Sequence, residues 1–188
     1  CTLTYLTSGR DRLRSAAPPA PRQAPLLLGN PAFSATLGGS APKGGERSMD
    51  LRGVRFPPLP GTATEVSAIA TLLPRARLLT GAAATETAVK ALRGPGLVHL
   101  ATHGFYAPDT RADKVADARE DPMLRTGIAL AGADHGGRGG DDGILTALEA
   151  SSLDLRGTRL VVLSACETGL GDASEGDGIY GLRRALVI

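Results

Sequence analysis

Two side chains of this 188-residue chain stand where covalent chemistry is usually done, each at the end of an apolar run. Cys166 lies in the stretch R-L-V-V-L-S-A-C-E-T-G-L-G, directly after Leu160–Leu163 and two small residues. Such a run suits a strand buried on both faces of a parallel sheet, and Gly169 and Gly171 let the backbone turn away after it. His103 closes a similar stretch, G-L-V-H-L-A-T-H-G. The two residues are 63 positions apart, enough for a crossover between parallel strands. If both strands share one sheet, a nucleophile and a base emerge together at its carboxyl edge, where open α/β sheets bind their ligands.

Each residue alone has a plainer reading. A cysteine beside a core strand is more often a small buried hydrophobe, and a lone histidine is more often structural. Their matched positions favour catalysis. His99 lies inside the apolar run and reads as a core histidine. The zinc-peptidase pattern wants a glutamate after its first histidine; Leu100 stands there, so no metal is expected. His135 needs no role. The glycine clusters contain no phosphate-binding G-K-[ST] loop, and Asp172, Glu175 and Asp177 would repel a phosphate after the Cys166 strand. No cofactor is implied. Those acids form either a solvated loop or a negative pocket rim suited to a Lys or Arg side chain, and the residues leave both open.

The elements that position the pair follow from periodicity. Thr2 to Thr7 alternates like an edge strand, and Ala24 to Gly29 reads as the first parallel strand. Thr62 with Glu65 three residues on predicts a capping box. The helix it opens has Val66, Ile69, Ala70 and Leu73 on one face and stops at Pro74. Ala76 to Thr80 is a second strand and Thr85 to Arg93 a helix with Ala88, Val89 and Leu92 inward. Phe105 to Arg125 reads as a loop, Thr126 to Gly132 as a short strand and Ala133 to Gly143 as flexible. Ile144 to Leu155 reads as a turn and helix burying Leu145, Leu148 and Leu153. A last helix begins at Tyr180. Strands alternating with helices give an α/β fold with a parallel sheet.

Composition narrows the function. Apolar residues are 42% of the chain and net charge is +2, with aromatics at 3% and no Trp. Single-strand nucleic-acid binders need stacking platforms and a basic groove, so no direct nucleic-acid partner is expected. Two cysteines make no disulfide framework, which points to a reducing cytoplasm. No signal peptide and no membrane-spanning run is recognisable. Both ends read as cut from a longer protein.

The motifs L-P-G-T-A-T-E-V (59–66), L-V-H-L-A-T-H-G (97–104), D-G-I-L-T-A-L-E (142–149), L-V-V-L-S-A-C-E-T-G-L-G (160–171) and G-D-G-I-Y-G-L-R-R-A-L (176–186) together resemble the CHAT domain. This is a caspase-like peptidase domain often found after tetratricopeptide repeats and related to caspases and separase. The resemblance implies a caspase-like three-layer sandwich with a mostly parallel sheet over 26–188, after an edge strand and loop over 1–25. The family's last strands would follow Ile188. It implies Cys166 as nucleophile, His103 as general acid/base, and the amides of Gly104 and Cys166 as oxyanion hole. Ser164 stands where caspases carry Gln and metacaspases Asp, so neither specificity transfers. Ser164, Glu167, Asp172 and Asp177 are the candidate substrate-binding residues, with Glu167, Asp172 and Asp177 leaning toward a basic residue before the scissile bond. The expected function is a cysteine endopeptidase acting on a protein substrate. Its expected partner is a tetratricopeptide-repeat or other sensor domain, in the same or another chain. The alternative is a catalytically silent caspase-like interaction module.

Overall fold

The structure is a computed structural model that describes residues 19–36, 54–106, 122–135, 141–165, 167–169, 182, 185 and 186. The expected edge strand over Thr2–Thr7 and most of the last helix lie outside the described residues. Four strands form a parallel sheet: β1 (Leu26–Pro31), β2 (Arg77–Gly81), β3 (Leu97–Ala101) and β7 (Leu160–Ser164), in the order β2-β1-β3-β7. Helices cover both faces, as in a caspase-like α/β sandwich. On one face Val66, Ile69 and Ala70 of α1 (Pro60–Leu72), with Leu73 just after it, pack against Leu27, Leu97 and Ala101. On the other, Leu26, Leu28, Val98 and Leu100 meet Val89 and Leu92, in and just after α2 (Glu86–Lys90), and Ala147 and Ala150 of α3 (Ala147–Ser151). The alternation of faces along β1 and β3 is the period-two geometry of a strand. Among the described residues no helix is long and apolar enough to cross a membrane.

A second four-stranded sheet was not legible in the sequence. It joins β4 (Gly104–Tyr106), β5 (Thr126–Ala129), β6 (Ile144–Thr146) and β8 (Glu167–Gly169) in the order β6-β5-β4-β8. Here β4 and β8 are parallel, while β5 runs antiparallel to both β4 and β6. The supposed loop from Phe105 thus opens as a strand, with Phe105 buried. The segment before α3 is the strand β6 rather than a turn, and Leu148 faces outward. The strand before Cys166 is not buried on both faces. β7 ends the strand order among the described residues, and Leu160 is 50% exposed.

The helix next to the site starts differently from expectation. Pro60 takes the first helical position of α1, and Leu59, its N-cap, offers no side-chain cap. Proline fits there because its missing N–H would be unpaired anyway. Thr62 is therefore inside the helix, where its hydroxyl donates to the Leu59 carbonyl (2.8 Å) and accepts from the Asn30 amide (2.8 Å). Asn30 also accepts from the Leu59 amide through Oδ1 (3.2 Å), and it does so at φ 45°, a left-handed conformation that Asn tolerates. The capping box of this chain lies instead at Thr146 and Glu149, which exchange hydrogen bonds at the start of α3. α2 is shorter than the helix expected over 85–93.

The segment before β6 is tied to α2. Glu86 is buried and its Oε2 accepts from the amides of Asp142 (2.8 Å) and Gly143 (3.1 Å). Lys90 pairs with Glu86, with Asp141 (3.3 Å) and with Glu149 (2.9 Å). So Asp141–Gly143, expected to be flexible, are held. Burial pushes the Glu86 carboxyl up from 4.5 to about 7, against the opposing pull of Lys90.

Two tests follow from this packing. A Cβ on Gly29 would stand 2.7 Å from the Thr62 carbonyl and 2.9 Å from a Val66 methyl. Gly29→Ala should therefore cost about 1–3 kcal/mol in urea unfolding; an unchanged midpoint would show that α1 is free to move off the sheet. Because the folded-state pKa of Glu86 is raised, its contribution is fullest below pH 4.5 and declines as pH rises to about 7. Glu86→Gln should flatten the pH dependence of unfolding across that window, and an unaltered slope would assign it to other groups.

Candidate active site

The first sheet passes into the second where Thr102-His103 joins β3 to β4; alongside, β7 ends at Ser164 and β8 opens at Glu167. Ala101 lies opposite Ser164 before this link, and Gly104 opposite Glu167 after it. The Thr102 amide donates to the Ser164 carbonyl (3.2 Å), and the Ala129 amide to the His103 carbonyl (2.9 Å). The Thr102 hydroxyl donates to the Ala129 carbonyl (2.5 Å). His103 is thus fixed through its main chain by both sheets.

Its side chain is fixed from a third direction. The residue is 6% exposed, and its ring sits against Phe33 (centroids 5.2 Å apart) and Phe56 (5.8 Å). Nε2 lies 2.8 Å from the Pro57 carbonyl oxygen. A carbonyl only accepts, so Nε2 carries the proton. The nitrogen that can take up or release a proton is then Nδ1. Pro57 and Pro58 stiffen this segment, and Pro58 has no N–H of its own to bond.

A third polar group borders the carboxyl edge. Glu65 projects from α1 and bridges two strands: Oε1 accepts from His99 Nε2 (2.8 Å) and Oε2 from the Ser164 hydroxyl (3.2 Å). His99 is buried in β3, as a core histidine would be, and this carboxylate is its partner. His135 Nε2 bonds the Ser34 carbonyl (2.7 Å), away from these groups.

Of the residues singled out by sequence, His103, Gly104 and Ser164 gather at this edge. Gly104 opens β4, and Glu167 opens β8 beside it. Cys166, Asp172 and Asp177 lie outside the described residues. Sequence reasoning missed Glu65, because the capping-box pattern gave it another task. It also missed Phe33, Phe56 and the Pro57 carbonyl, the last of which has no side-chain signal at all.

A caspase-like sandwich with a histidine at the strand ends defines a class, and comparison with protein families agrees. The CHAT domain model matches residues 1–188. The chain belongs to the CHAT domain family. Searches of curated proteins and of solved structures returned no match.

The ring geometry has a direct readout. In ¹⁵N-edited NMR at a pH where His103 is neutral, the Nε2–H tautomer should dominate. An Nδ1–H tautomer would remove the Pro57 carbonyl as its anchor.

Proposed function

We propose that this CHAT domain is a cysteine endopeptidase in which Cys166 is the nucleophile and His103 the general acid/base. One observation carries the reading. The offset that pairs Ala101 with Ser164 and Gly104 with Glu167 is also the offset between His103 and Cys166. Adjacent strands are about 4.8 Å apart, a spacing across which a thiol and an imidazole can exchange a proton.

The chemistry is as follows. Nδ1 of His103 takes the thiol proton. The thiolate attacks the peptide carbonyl carbon, a C–S bond forms, and the carbonyl electrons move to oxygen. The amides of Gly104 and Cys166 are assigned to that oxyanion. Collapse breaks the C–N bond, and the leaving amine takes the proton from His103. Water, deprotonated by His103, then cleaves the thioester to a carboxylic acid, and the proton returns to sulfur. The cytoplasm is the compartment that keeps such a thiol reduced. A tetratricopeptide-repeat or other sensor domain, in this or another chain, is the proposed regulator, as the family resemblance implies.

The test is cleavage of a peptide library, diverse at the residue before the scissile bond, by the protein and two variants. Cys166→Ala should abolish cleavage, and His103→Ala should lower it by about 10²–10⁴-fold. Cleavage that survives Cys166→Ala would overturn the reading. No cleavage in any form, with folding intact and the sensor partner present, would favour an interaction module.

A further inference from the structure

Ser164 is two positions before Cys166, and its hydroxyl points to the α1 side of the sheet, where it meets Glu65. The Pro57 carbonyl that holds His103 comes from the segment leading into the same helix. Glu65 therefore lies on the side from which the histidine is anchored. Its depth follows from its partners. Ser164 is level with Ala101 at the last position of β3, and His99 is two residues further in. At about 3.3 Å per strand residue, the carboxylate reaches from the end of β7 to a level about 7 Å inside the sheet. The Glu65 side chain is 35% exposed, while that of His99 is 8%. The carboxylate has solvent access and the histidine beneath it does not.

The electrostatics fit a cationic visitor. A carboxylate has about four lone-pair sites, and His99 and Ser164 use one each. Among the described residues no Lys or Arg pairs with Glu65. The unused sites match a guanidinium or ammonium group.

We propose that Glu65 is a specificity-determining residue, whose carboxylate receives an arginine or lysine side chain at the position before the scissile bond. This rests on the peptidase reading. A peptide with its scissile carbonyl at Cys166 would run that side chain down the α1 face of β7, past Ser164. An extended arginine spans the depth estimated above, whereas aspartate is both too short and of the wrong charge. Ser164 orients the carboxylate from the strand, and His99 closes the floor.

The test uses matched peptides that differ only in having arginine or citrulline before the scissile bond. Citrulline keeps the shape of arginine and removes its charge. The ratio of kcat/KM, arginine over citrulline, should be about 10- to 100-fold for the protein, the size expected of a hydrogen-bonded charge pair. Glu65→Gln keeps an acceptor for Ser164 and should bring the ratio close to one. A ratio unmoved by Glu65→Gln would overturn the proposal and leave the residue as a brace between strands. Binding of the same two peptides to Cys166→Ala, followed by fluorescence anisotropy, needs no turnover. Binding that prefers arginine, with no cleavage by the parent protein, would keep the pocket and remove the peptidase reading. Cleavage without any arginine preference would do the reverse. Neither binding nor cleavage would remove both.

Discussion

The parallel register between the β3–β4 and β7–β8 segments is the constraint on which the rest of the site depends. The two segments pair in parallel in the first sheet and again, at the same offset, in the second. A slip of one residue would exchange the two faces of a strand. It would turn Val98 and Leu100 away from the helices they pack on, and His99 away from Glu65. The apolar core therefore enforces the register, and the register sets Thr102-His103 beside the end of β7. The backbone groups of that link must be satisfied in a buried setting: the Thr102 amide donates to the Ser164 carbonyl, and the His103 carbonyl accepts from the Ala129 amide.

What holds the histidine ring is set by a segment that forms no ladder of its own. Phe56-Pro57-Pro58-Leu59-Pro60 is too proline-rich to be helix or central strand. Its stiffness delivers three things at once. Phe56 packs on the ring, the Pro57 carbonyl fixes the tautomer, and Pro60 starts α1. Asn30 and Gly29 then bring that helix start down onto β1, the first through two hydrogen bonds and the second by having no side chain.

The four strands of the parallel sheet were legible because each holds a short apolar run with glycine or small residues after it. The helix over α1 was legible for its buried face, and the α/β class followed. The second sheet was not, because β4, β6 and β8 are three residues each and β5 four, too short to show a period. Their pairing depends on partners far along the chain. The helix start was misplaced because two rules competed at Thr62, and Pro60 won. That displacement matters, since a Glu65 occupied with a cap could not reach Ser164. His103 was legible from its type and its position at a strand end. The carbonyl and rings that orient it were not, since neither belongs to a local pattern. Cys166 stands outside the described residues, so its part rests on sequence and on the register around it.

Two carboxylates of this domain show how environment separates structural from available charge. Glu86 is buried, faces Lys90 and accepts two main-chain amides, and its task is to hold Asp141–Gly143. Glu65 is about one-third exposed, and its two hydrogen-bond partners are a hydroxyl and an imidazole. The two oxygens of Glu65 serve two donors, Ser164 and His99, whereas glutamine has one acceptor oxygen and would turn an N–H2 group toward one of them. Bracing the two strands therefore already calls for a carboxylate. Its charge goes further than that task, because a side chain about one-third exposed keeps lone pairs open to solution beyond those two bonds.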